Sequence, residues 1–315
     1  MFSSMTFMAL SCPQCSAPLP RVAIWRSVKC AACGSLVTRT EQLVRREDFR
    51  QAWKRMRSEA AAMGAGIVCG GVGYRPVQEL GSGEISKVHL ALRLGVMPAL
   101  VVLKLSSAPT AAAAFAREAE VLRELQKTGD DVAGAFFSRL LPEVVAVGAV
   151  EDGGRHALVM RHPNGFWGSL AALSERFPAG LDPRHAVWIW RRMLDVLGFI
   201  HDHGWSHGDV RPEHALVHPE DHAVRLIGWA SARKGADAKQ KAADLSRSAR
   251  VVQVLLHGGS GVKPANLPPA LAQLVTQAAE DPGFCRTHGA RGLDSLLRAA
   301  AHEAFGPPAF VPLIL

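Results

Sequence analysis

HDHGWSHGDVRPEHALV, residues 201–217, is the stretch on which the reading of this 315-residue chain turns. It sets His207, Gly208 and Asp209 in a row, with Arg211 two positions on and His214 five positions after Asp209, just ahead of an apolar run. The following run, AVRLIGWASA over 223–232, carries Gly228 near its end. Upstream, RPVQELGSGEISKVHLALR (75–93) reads as two strands joined by a glycine-rich turn, where Gly81 and Gly83 allow backbone to approach a phosphate. ALVVLKL (99–105) is a β-rich run carrying Lys104, and AAAAFAREAEVLRELQ (111–126) is a helix with Glu118 in the frame F-x-x-E-x-x-x-L. A glycine pair is common in hairpins and an amphipathic helix is commonly just solvated, so the order of the elements carries the assignment.

In that order the segments resemble the protein-kinase-like (Hanks-type) family. The resemblance implies an α+β, bilobal fold, with a small β-rich N-lobe over 72–162 and a helical C-lobe over 163–315. It implies an ion pair between Lys104 and Glu118 that orients nucleotide phosphates, beneath a loop with Gly81 and Gly83 and beside pocket residues Val88 and Val102. ALVMRHPNG (157–165) resembles the strand-to-hinge segment, with Met160 as gatekeeper and Pro163 at the hinge. His207-Gly208-Asp209 stands where kinases have H-R-D, or H-G-D in aminoglycoside and choline kinase relatives. Asp209 then matches the general base, Arg211 the phosphate-contacting lysine and His214 the metal-binding asparagine. AADLSRSARVVQVLLHG (242–258) is similar to the buried central helix of the C-lobe, and Arg286 to the arginine of its late helices.

The departures are as informative. Gly228 occupies the position of the D-F-G aspartate, and glycine has no side chain to offer Mg²⁺. His214 presents imidazole, which suits softer metals better. Ser86 replaces a third glycine, Val102 a small alanine, and Pro163 has no N–H for an adenine ring. Thirteen residues separate Ala230 from Asp244, too few for an activation segment that builds a peptide groove. These features read as a pseudokinase scaffold that binds and regulates protein partners, with ATP bound weakly or not at all and little help from Mg²⁺. The alternatives are an active atypical phosphotransferase or nucleotidyl-transferase that uses ATP through Lys104, Glu118 and Asp209, and nucleic-acid binding near the N-terminus. Gly228→Asp is expected to restore a metal ligand.

Residues 1–40 read as a zinc ribbon, because Cys12, Cys15, Cys30 and Cys33 follow C-x2-C-x14-C-x2-C. A four-thiolate site is closed, so such a zinc is structural; disulfides would need an oxidising compartment for which no signal peptide argues. Residues 41–71 read as an amphipathic linker helix, with Phe49, Trp53, Met56, Ala60 and Met63 at alternating spacings, running into a glycine-rich boundary. The net charge is +8, and the first sixty residues hold ten Lys/Arg against four Asp/Glu. That asymmetry suits nucleic acid, an acidic surface or simple solvation, and nucleic acid is not the favoured partner. No apolar run is long enough to span a bilayer, and cytoplasmic residence is the expectation.

Overall fold

The computed structural model describes residues 8–11, 18–19, 28–30, 36–37, 43–45, 51, 54, 66–83, 85–95, 98–129, 134, 136–151, 153–163, 165–258 and 267–315. Cys12, Cys15 and Cys33, and most of the segment expected to form a linker helix, lie outside the described residues; within that segment Leu43–Arg45 form a strand instead. The chain divides into two compact units, one of residues 1–119 and 143–164, the other of 120–142 and 165–315.

In the first unit, short strands lead. β1 (Met8–Ser11) pairs antiparallel with β2 (Pro18–Leu19) and, on its other edge, with β5 (Leu43–Arg45); β3 (Val28–Lys29) pairs with β4 (Leu36–Val37). A six-stranded antiparallel sheet follows, built from β6 (Ile67–Cys69), β7 (Val72–Ser82), β8 (Lys87–Arg93), β9 (Ala99–Ser106), β10 (Val144–Ala149) and β11 (His156–Arg161), in the order β10-β11-β9-β8-β7-β6. Its first strand, β6, falls in the glycine-rich stretch ahead of residue 72. β9 alternates buried and half-buried positions because successive side chains leave opposite faces of a strand. One face buries Tyr74, Ala91, Val101, Leu103, Ala157 and Val159 as a single cluster. Helix α1 (Ala111–Leu125) is amphipathic, with Phe115, Ala119, Leu122 and Leu125 buried. Its first nine residues belong to this unit.

The second unit is helical, with α2 (Leu170–Arg176), α3 (Pro183–Asp202), α4 (Ala238–His257), α5 (Pro269–Glu280) and α6 (Pro282–Phe305), the last broken at Gly289. Helix starts are capped by side chains that satisfy the free N–H groups of a first turn: Ser169 for α2, Asp182 for α3, and an Asp237/Gln240 capping box for α4. α3 and α4 supply the core through Ile189, Trp190, Met193, Leu197, Leu245, Val252 and Leu255. The Trp190 indole N–H bonds the Ser248 hydroxyl at 3.0 Å and ties the two helices in a buried position. Two small sheets complete the unit: β12 (Gly168–Ser169), β14 (Ala215–His218) and β15 (Ala223–Leu226), and the pair β13 (Trp205–Ser206) with β16 (Arg233–Lys234). The 201–217 stretch spans the end of α3, β13, the 207–214 loop and the first three residues of β14, so that loop is fixed at both ends by sheet. No helix among the described residues is long and apolar enough to cross a membrane.

The core reading is testable within the helical unit. Leu197→Ala, at a fully buried position on α3, should lower unfolding free energy by about 2–5 kcal/mol, because the cavity only partly collapses. Val254→Ala, on an exposed position of α4, should change it by no more than about 0.5 kcal/mol. Denaturant titrations of both variants check the contrast.

Candidate active site

Two clusters hold the residues singled out in the sequence, one in each unit. In the sheet unit, register places them. Lys104 lies opposite Val88 on one side and Leu158 on the other, and Val102 lies opposite Leu90 and Met160. Directly opposed residues in an antiparallel sheet share a face, as do positions two apart on one strand. Val88, Val102, Lys104 and Met160 are therefore on the same face, opposite the Leu103 cluster. The Lys104 ammonium donates to both carboxylate oxygens of Glu118 on α1, at 2.7 and 2.8 Å. Glu118 is almost fully buried and Lys104 keeps a modest opening to solvent, so the pair is desolvated enough to hold its geometry. Gly81 pairs opposite Val88, one residue before the last pair of β7, Ser82 with Lys87, and the Gly83 N–H bonds the Ser86 carbonyl at 2.7 Å, closing the turn. The Ser106 hydroxyl donates to the Ile85 carbonyl and anchors that turn to β9. A methyl group at Gly81 would meet nothing within 4 Å, so one side of the turn is open. Pro163 sits just past β11, where Arg161 makes a two-pronged ion pair with Glu143, both contacts at 2.8 Å.

In the helical unit the 201–217 loop is organised from within. The Asp244 carboxylate, on α4 and wholly buried, accepts the His207 N–H at 2.7 Å, the Gly208 N–H at 2.8 Å and the His201 ring at 3.1 Å. Burial alone would push this acid up, but the His201 bond and the Gly208 N–H outweigh it and hold Asp244 below its ordinary value. Arg247, one turn along, donates to the Gly208 carbonyl at 2.9 Å. His207 is fully buried against Trp229, with its Nε2 bonded to the Ile227 carbonyl at 3.0 Å and its Nδ1 accepting the Asp209 N–H at 3.2 Å. Those partners define a neutral ring with the proton on Nε2, and burial pushes its pKa down to about 4. Gly208 has φ +81°, and any Cβ there would lie 2.5 Å from the Ser231 carbonyl oxygen, so this position of the loop takes only glycine.

Asp209 then projects a partly exposed carboxylate. His214 Nδ1 lies 3.2 Å from it and 3.0 Å from the Asp209 carbonyl oxygen, while the Arg211 guanidinium lies 3.6 Å from the carboxylate and 3.1 Å from His214 Nε2. Gly228 follows at φ +79°, facing the His214 ring. Between Ser231 and α4 the chain is consumed by β16, by a bond from the Ala236 N–H to the Gly204 carbonyl and by the Asp237 cap.

A lysine–glutamate pair on sheet and helix, and an H-G-D loop held by a buried acid, define the protein-kinase-like class. A family model described as the lipopolysaccharide kinase (Kdo/WaaP) family matches residues 78–263. The chain belongs to that family. Membership overturns the pseudokinase-scaffold reading: the family is one of kinases, which agrees with the phosphotransferase alternative instead.

Membership implies use of ATP with Mg²⁺, yet the residues do not fit a protein-held Mg²⁺. That ion wants an octahedron of oxygens. Asp209 supplies the one carboxylate, His214 a ring nitrogen, and Gly228 nothing. Among the described residues no group of three His, Cys, Asp or Glu side chains is arranged to hold a metal. The expected repair also fails on geometry, because a Cβ at residue 228 would lie 2.6 Å from His214 Nδ1. Sequence reasoning did not give Asp244 or Trp229 a role. The usable signal was an acid set in the apolar periodicity of α4, which marks a buried carboxylate that needs donors.

The electrostatics predict a pH response. The unfolded chain takes up the His207 proton near pH 6.5, the folded chain only near 4, so between those values the unfolded state binds more protons and acid favours unfolding. Burial also lowers His185, His218 and His222, which act in the same direction. Unfolding free energy should therefore fall from pH 7 towards pH 4, with His207 alone contributing at most about 1.4 kcal/mol per pH unit. Urea titrations of the parent and of His207→Gln should show a shallower slope in the variant.

Proposed function

We propose that this protein is an ATP-dependent phosphotransferase that moves the γ-phosphoryl group onto a hydroxyl of a saccharide acceptor of the lipopolysaccharide type. The observation that carries the reading is the intact Lys104–Glu118 pair together with an Asp209 loop clamped by Asp244, both within the region matched to a kinase family. Lys104 holds the α- and β-phosphates and Glu118 fixes the lysine. Asp209 accepts the proton of the acceptor hydroxyl as its oxygen bonds the γ-phosphorus and the bond from that phosphorus to the β-bridging oxygen breaks, releasing ADP. The short link after Ser231, fastened to β13 and to the start of α4, has no free length for a peptide groove and favours a non-peptide acceptor. Transfer of γ-labelled phosphate from ATP to a purified lipopolysaccharide core oligosaccharide tests the reading. Asp209→Asn should lower kcat by about 10²–10⁴-fold, the usual worth of a general base, and Lys104→Met should also abolish efficient turnover. Undiminished transfer in Asp209→Asn would overturn it.

We also propose that Cys12, Cys15, Cys30 and Cys33 bind one structural zinc. The support is their spacing and the two antiparallel pairs, β1 with β2 and β3 with β4, whose connecting segments contain one C-x2-C each. Cys30 is buried. Elemental analysis should find one zinc per chain, and a chelator should remove it without unfolding the helical unit; absence of zinc in freshly purified, reduced protein would contradict the reading.

A further inference from the structure

Building on the phosphotransferase reading, we propose that Gly228 and His214 are a matched pair that closes the position where a kinase holds its metal, and that Arg211, oriented by His214, supplies the positive charge there in its place. A side chain at residue 228 and an imidazole at residue 214 exclude one another: a Cβ on Gly228 would lie 2.6 Å from His214 Nδ1, 2.7 Å from Cε1 and 2.8 Å from Cγ. Real Cβ contacts do not come so close, and these are ring atoms of a side chain held by several bonds. The glycine also takes φ +79° and ψ 47°, a left-handed conformation that disfavours other residues.

The imidazole is held on both sides. The Arg211 guanidinium donates through Nε to His214 Nδ1 at 3.3 Å and approaches Nε2 through Nη2 at 3.1 Å. Nδ1 also lies 3.0 Å from the Asp209 carbonyl oxygen and 3.2 Å from its carboxylate. His214 thus bridges Asp209 to Arg211. The guanidinium is half exposed, and its remaining N–H groups form the planar fork that suits phosphoryl oxygens. Replacement of a carboxylate and an amide by glycine and imidazole is then one coupled exchange, and not two separate losses.

The test uses the full chain in two arms. First, Mn²⁺ alone is titrated and followed by electron paramagnetic resonance. The parent should bind no Mn²⁺ at the loop, whereas His214→Asn/Gly228→Asp, which restores oxygen donors and replaces the anchored ring by a shorter side chain able to turn away from residue 228, should bind it. Mn²⁺ binding by the parent that disappears in Asp209→Asn overturns the proposal, as does a folded double variant that gains none. Should the double variant not fold, a thermodynamic cycle replaces it. Gly228→Ala should lower Tm in the parent and lower it much less in a His214→Gly background; equal losses overturn the pairing. Second, calorimetry with ATP should give parent affinities in EDTA and in Mg²⁺ that agree within about threefold, since the chain does not ligate the ion. Arg211→Ala should weaken binding in EDTA by about tenfold, with partial recovery in Arg211→Lys. An affinity at least tenfold tighter with Mg²⁺ in the parent overturns the proposal. ATP bound by no form would instead overturn the phosphotransferase reading, and the Mn²⁺ arm and the cycle still judge the pair.

Discussion

The carboxylate of Asp244 is sealed from water, and the loop that bears Asp209 is suspended from it. A buried ionised acid is tolerated only when donors surround it, and here two consecutive backbone N–H groups and a histidine ring do so. The exchange serves both sides: α4 disposes of a charge it could not otherwise bury, and the His207–Asp209 turn acquires a fixed conformation. Gly208 follows, because its backbone must fit against the Ser231 carbonyl. His207 follows as well, wedged against Trp229 and kept neutral, so that it receives the Asp209 N–H and leaves the Asp209 carboxylate free to face outward.

Much of this was legible in the sequence, and its limits have physical causes. The Lys104–Glu118 pair was expected from the resemblance to kinases, which sets a lysine on a strand against a glutamate on the next helix. β-rich runs marked β8 and β9 and the resemblance marked α4, whereas α3 was not read from the sequence. Asp244 was recognisable as part of a core helix, but its partners are more than thirty residues away, a distance over which spacing says nothing. The relation of Gly228 to His214 was hidden for another reason: it depends on a left-handed backbone angle and on a collision that exists only in three dimensions. Read singly, those two positions resembled decay, and the functional reading drifted to a scaffold. The zinc reading rests on cysteines of which Cys12, Cys15 and Cys33 lie outside the described residues.

The second consequence of the loop's anchorage concerns the acceptor. After Ser231 the chain pairs with β13, the strand just ahead of the 207–214 loop, and at once enters the capping box of α4. A kinase that acts on peptides needs a long segment there. This chain uses the same residues to brace its own loop, which is in keeping with a family named for a saccharide-bearing substrate.

Amide hydrogen exchange at His207 and Gly208 tests the clamp most directly. If Asp244 holds the loop, these two amides exchange as slowly as those in the middle of α4, although they lie in a loop, and Asp244→Asn speeds both while the α4 amides stay protected. Rapid exchange at His207 and Gly208 in the parent protein, at the rate of an unbonded loop amide, would contradict the dependence of the Asp209 loop on Asp244.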